Sequence, residues 1–310
     1  MFIIAILSLF ILYKIILYLW NEKVSFYSLC FISSFWSFSY VIITFRPDNV
    51  MLFLLILSFY FLILMYKKGK QIYLFMAGLV STFTFFFFPK SISLLLVIYF
   101  FGILPDLKNK KPYFSFGIIG GIFFSVIFLI LLNISLKNFY LYVFKINFFY
   151  PWHSEIMTFL KRYWKNFLLC IIFGSIGIYS IIKKQKSIIY FFPILALLNF
   201  TFYIIFIVGS RNLSQYWIPF YPFASILSAI GIVETIDFVK KGLNNKFIIE
   251  SGFIIIFLWL SIRINMFPLI SYDRISQSYI SQINYMLENI FPNDRILIYF
   301  GPDGEFKHPI

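Results

Sequence analysis

Ten apolar stretches decide what this chain can become: roughly 1–20, 25–44, 50–66, 71–88, 91–104, 114–133, 166–182, 188–208, 216–234 and 247–265. Most are long enough to cross about 30 Å of hydrocarbon as a helix. Lipid offers no partner to a bare N–H or C=O, so an apolar segment that crosses it must be helical or part of a closed barrel. The fifth stretch is short, reaching only about 21 Å at 1.5 Å per residue. Either it runs on through Pro105, or its Pro89 end sits below the membrane surface. Of the 310 residues, 61% are apolar and 12% charged, with 45 Phe. A soluble core cannot bury that much apolar surface, and the Phe are read as lipid-facing filler rather than a cofactor box. Cys30 and Cys170 both fall inside apolar runs, which suggests neither a disulfide framework nor a metal site. No His, Asp or Glu cluster has metal-ligand spacing, and no cofactor is evident. The expected fold class is an all-α polytopic membrane protein with about ten transmembrane helices.

The loops alternate in charge. "NEK", "YKKGK", "PDLKNKKP", "KKQK" and "DFVKKGLNNK" carry 13 of the 26 Lys and Arg. The short loops between them carry one basic residue each: Arg46, Lys90 and Arg211. Lysine-rich short loops mark the cytoplasmic side. This distribution accounts for half of the positive charge without nucleic acid as a partner. Ten spans then leave both termini outside. Met1 opens directly into a helix, with no charged n-region and no cleavage site, unlike a signal peptide. The expectation is that an odd number of helices, most simply one, precedes it.

Residues 1–265 read as the transmembrane helical domain and 266–310 as an extracytoplasmic tail. In the tail, Ile275, Tyr279, Ile283, Met286, Leu287 and Ile290 recur at spacings of three and four, an amphipathic helix. "RILIYF" reads as a strand before a "GPDG" turn. That is the start of a small α/β soluble domain, expected to be cut short.

The topology gathers charged groups on the outer face. Arg46 and Asp48 ("TFRPDNVM"), Lys90 ("FFFFPKSISLLL"), and Arg211 and Tyr216 ("GSRNLSQYWIPFYP") lie at the outer ends of three hairpins. "FFYPWHSEIMTFLKRYW" adds His153, Glu155, Lys161 and Arg162 on that side. Lysines and arginines converging there suit an anionic headgroup such as a phosphate. Each residue also has a plain reading. Lys90 can snorkel to the interface. Arg46 and Asp48 can pair locally at a proline-started helix. Arg211 can be an interface anchor, and His153 and Glu155 ordinary loop surface.

The order of "RPDNVMLFLLILSFYFLI", a lysine-bearing turn, "FMAGLVSTFTFFFFPKSISLLLVIYF" and "RNLSQYWIPFYPFASILSAIGI" resembles the GT-C membrane glycosyltransferases. The branch it is most similar to contains protein O-mannosyltransferases and lipid A aminoarabinose transferases. The resemblance covers about residues 1–265. It implies a cavity open to the outer leaflet and a polyprenyl-phosphate sugar as donor. It further implies transfer to an outer-face lipid, glycan or protein acceptor, in a multi-pass protein of a bacterial inner membrane with its C-terminus outside. Arg46–Asp48 and Pro89–Lys90 match family positions, and the resemblance would make Lys90 a phosphate ligand that favours departure of the lipid phosphate. Arg211 and Tyr216 match the basic–aromatic entry to a late helix and would hold donor phosphate or sugar, with His153 beside them. The family's catalytic acid, a general base on the acceptor, sits in the first outer loop after the first helix. No loop here corresponds to it, so the catalytic residue is unassigned and the chain is expected to be an N-terminally truncated form. Three other readings stay open: a transporter or lipid flippase, which would put ionisable residues in mid-helix; a polysaccharide polymerase; and an inactive remnant.

Overall fold

The computed structural model describes residues 2–35, 38, 47–140, 156–203, 217–242, 251–252 and 255. Among them there are helices and turns and no strand. Three helices are long and apolar enough to cross a membrane: 48–68, 113–131 and 220–240. Shorter apolar helices accompany them at 3–19, 71–87 and 188–202. The chain is a mostly helical membrane protein. The tail after residue 255 and its expected helix and strand lie outside the described residues.

Helix α1 (Phe2–Leu19) turns at Trp20 into α2 (Glu22–Ser33). Asn21 makes that turn possible, because its side chain accepts the Val24 N–H at 2.9 Å and caps α2. Helix α3 (Pro47–Lys68) opens on a proline, carries Asp48 in its first turn and closes on Lys67 and Lys68. Each charge complements the helix dipole at its end. Gly69 follows with φ +68, a conformation that suits glycine and lets the chain reverse at once. Helix α4 (Gln71–Phe87) therefore returns antiparallel. A 3-10 turn (Pro89–Ser91) leads into α5 (Ile92–Asn109).

Helix α5 settles the question of the short fifth stretch: it continues through Pro105 to a length of about 27 Å. Proline has no N–H for the carbonyl four residues back, which here belongs to Phe101. The Tyr66 hydroxyl on α3 donates to that carbonyl at 3.0 Å and fills the gap. The chain leaves α5 at Lys110 with φ 54 and enters α6 (Tyr113–Leu131). Asp106 is buried, and its carboxylate accepts the N–H groups of Phe114 and Ser115 at 3.1 and 3.0 Å. The Ser115 hydroxyl adds a third bond at 3.1 Å. A carboxylate from the preceding helix thus satisfies the open donors of α6.

Helix α7 (Ile156–Lys184) has 29 residues and is about 44 Å long, more than the hydrocarbon needs. Its first turns include Lys161 and Arg162, which the sequence had suggested for a loop. Helix α8 (Phe192–Phe202) follows a 3-10 turn (Ile188–Phe191), and α9 (Phe220–Gly242) comes last. The "DFVKKG" segment, read from sequence as loop, is the last part of α9.

Two glycine seams organise the bundle. Gly78 on α4 faces the Phe114 carbonyl, and Gly117 on α6 faces the Phe75 carbonyl, both too closely for any Cβ. Gly177 on α7 and Gly231 on α9 face the Leu227 and Phe173 carbonyls in the same way. Small residues let membrane helices approach backbone to backbone, where dispersion replaces the missing hydrophobic drive. Around α9 the packing is aromatic and hydroxylic. Phe59, Phe192 and Phe223 form a triangle across α3, α8 and α9 with centroid separations of 5.2, 5.5 and 6.2 Å. The Ser225 hydroxyl donates to the Pro222 carbonyl at 2.7 Å, so Ser28 of α2 is the donor in the 3.0 Å Ser28–Ser225 contact.

Candidate functional site

The antiparallel order of α3, α4 and α5 decides which residues meet. The start of α3, the end of α4 and the start of α5 lie at one end of the bundle, opposite the lysine-rich turns. Asp48 sits in the first turn of α3. Pro89 and Lys90 form the turn that opens α5. Helix α3 packs against both α4 and α5. Two of the sequence-selected positions, Asp48 and Lys90, are therefore brought to the same end. Arg46, His153, Arg211 and Tyr216 lie outside the described residues, as does Glu155.

The setting of this end is built from identifiable contacts. The "FFFF" run folds back on its neighbours: Phe86 stacks on Phe139 at 5.0 Å, and Phe87 meets Phe128 edge-on at 5.4 Å. Trp217 is buried beside Phe200 at 5.4 Å and Phe220 at 5.9 Å, which fixes the entry to α9. Phe35 lies 4.7 Å from Tyr221 and joins the end of α2 to that entry. Apolar packing of this kind holds the helix ends in place and keeps the polar groups between them in a low-dielectric setting.

Three polar residues at this end escaped the sequence reading. Asn49, Ser91 and Ser93 are buried, with exposures of 1%, 0% and 0%. The Ser91 and Ser93 hydroxyls have no hydrogen-bond partner among the described residues. An unmade hydrogen bond of this sort is costly; the Ser228 hydroxyl on α9, away from this end, is in the same state. The signal was present in "PKSIS", where hydroxyls follow the lysine at alternate positions. An apolar run that long hid them.

Two ionisable residues inside helices away from this end have identifiable surroundings. Lys14 shares a helical stripe with exposed Ile3, Leu7 and Phe10, and its ammonium lies 5.4 Å from the Phe10 ring. Glu234 near the far end of α9 accepts from Ser180 at 2.9 Å and from Lys184 at 2.5 and 2.6 Å. Among the described residues no group of three or more His, Cys, Asp or Glu could hold a metal ion.

Residues 1–130 match the family model described as dolichyl-phosphate-mannose-protein mannosyltransferase. The matched span, less than half of the chain, takes in Asp48 and the Pro89–Lys90 turn. No curated protein and no solved structure matches the chain.

Proposed function

We propose that the chain is a membrane glycosyltransferase that moves a sugar from a polyprenyl-phosphate donor to an acceptor on the outer face of the membrane. The observation that carries this reading is the family match over residues 1–130, which spans both described site residues. In the reaction an acceptor oxygen attacks the anomeric carbon, and the bond from that carbon to the phosphate oxygen breaks. The polyprenyl phosphate leaves with the bonding pair, and the acceptor's proton passes to a base. Lys90, with Arg46 and Arg211, offsets the negative charge that grows on the leaving phosphate. Asp48, at the same end as Lys90, orients the donor sugar, with His153 and Tyr216 as further sugar contacts. The base is assigned to none of these residues.

The distribution of charge favours transfer over transport. A transport path needs ionisable groups along it in mid-helix. Among the described residues, half-buried Lys14 borders an exposed apolar stripe of α1, and Glu234 within α9 is paired with Lys184, so neither lines a path. The test is direct. Membranes containing the chain are supplied with a polyprenyl phosphate bearing a radiolabelled sugar. Movement of label from the lipid to a new acceptor supports the reading. Label that stays on the lipid while the lipid itself crosses reconstituted vesicles would replace it with a flippase.

A further inference from the structure

The lysine-rich end carries a second arrangement that glycosyl transfer does not use. Lys67 closes α3, and its ammonium lies 3.4 Å from the Tyr190 hydroxyl and 5.7 Å from the Tyr190 ring centroid. Tyr190 is itself fixed, because Trp20 packs edge-on against its ring at 5.7 Å. These three residues come from the end of α3, the 3-10 turn before α8 and the turn after α1, so the cluster is made by the fold. Lys183 and Lys186 are exposed close by in sequence. No acidic partner is found for Lys67, Lys183 or Lys186 among the described residues, whereas neighbouring Lys184 is paired with Glu234.

The hydrogen bonds made at this cluster leave open capacity of one kind. The Tyr190 oxygen accepts from Lys67, so its O–H remains to donate. The Lys67 ammonium retains two further N–H groups. Donors and positive charge with no acceptor opposite them suit a phosphate. Two features make that phosphate a lipid headgroup. The cluster sits at helix ends, with Trp and Tyr in the pattern of a membrane interface. Exposed Ile182 and Ile188, at 62% and 42%, flank Lys183 and the Tyr190 turn and offer an apolar wall where an acyl chain would lie.

We infer that Lys67, Tyr190 and the adjoining lysines form a binding site for an anionic phospholipid of the leaflet at the lysine-rich end. The headgroup phosphate accepts from Lys67 and from the Tyr190 hydroxyl, and Trp20 holds the ring. This site is separate from the sugar-transfer end and does not depend on it.

The experiment uses the whole chain in nanodiscs of phosphatidylcholine, with and without phosphatidylglycerol, and counts retained lipid by native mass spectrometry. Wild-type protein is expected to retain phosphatidylglycerol. Lys67→Gln and Tyr190→Phe should each weaken its retention roughly fivefold, in line with one lost headgroup contact near a membrane surface. Lys110→Gln removes another exposed lysine from the same end and should leave retention unchanged. Tyr190→Phe keeps the ring and its packing, so its result stands even if Lys67→Gln folds poorly. Equal retention in all four proteins would overturn the site in favour of general charge attraction. Loss of phosphatidylglycerol retention in millimolar inorganic phosphate would overturn the lipid assignment.

Discussion

Helices α6 and α9 are both long enough to span the membrane, yet the fold uses them differently. Helix α6 is the more apolar of the two, and only 28% of its spanning window is buried; α9 is less apolar and 67% buried. Phe116, Ile119, Phe123, Phe124, Ile130 and Leu131 all project from α6 with more than half their surface exposed. Helix α9 instead buries Ser225, whose hydroxyl is bonded to Ser28 of α2. The order reverses the rule for soluble proteins, where the greasiest helix lies inside. Against lipid, apolar surface gains nothing by burial, so close packing and hydroxyl bonds choose the centre.

The largest expected difference is between two phenylalanines. Phe223→Ala, in the α9 triangle, should cost about 3 kcal/mol, since it opens a cavity that its neighbours cannot fill. Phe124→Ala on the exposed face of α6 should change stability by less than about 0.5 kcal/mol. Unfolding by SDS in mixed micelles measures both. Similar losses would mean that α6 is also packed against protein.

The glycine seams sharpen the contrast. Gly231→Ala places a methyl group against the Phe173 carbonyl and should cost about 3 kcal/mol, since α9 is held on several sides. Gly117→Ala makes an equivalent clash with the Phe75 carbonyl. Helix α6 can move outward into lipid, so about 1 kcal/mol is expected there. The same unfolding assay would break the comparison if the two glycines proved equally sensitive.

The smallest effects concern the polar ties. Asp106→Ala removes the cap on α6, and a loss of about 1 kcal/mol is expected. Glu234→Gln breaks the tie of α9 to Lys184, whose side chain is 55% exposed. Solvent screens that pair, and about 0.5 kcal/mol or less is expected. Raising the salt concentration should erase the Glu234 effect and leave that of Asp106, which thermal unfolding across a salt series will show.

Much of the helical layout was legible because a membrane span is a long apolar run with charged ends. The turns at Asn21 and Gly69 are equally plain. What remained hidden depends on contacts between distant residues. Whether the fifth stretch runs on through Pro105 was left open, and Tyr66, 39 positions earlier, bonds the carbonyl that the proline leaves without a donor. Asp106 looked like a loop charge until α6 was placed beside it. At the candidate site, Asp48 and Lys90 could be brought to one end by counting helices. Ser91 and Ser93 follow Lys90 in plain view, but nothing in the sequence says that they are buried without a partner. The glycines of α6 and α9 carried the seams in plain view, but a glycine in an apolar run does not say which helix it meets.

The measurement that bears most directly on the glycosyltransferase reading is the affinity of the purified chain for polyprenyl phosphate, with Lys90→Ala set against Lys110→Ala. If Lys90 holds the donor phosphate, its loss should weaken binding roughly tenfold, as expected for a charge-assisted contact. Lys110→Ala, at the opposite end, should leave binding unchanged. Equal affinities in both variants and the wild type would contradict the assignment of the donor site to the Pro89–Lys90 turn.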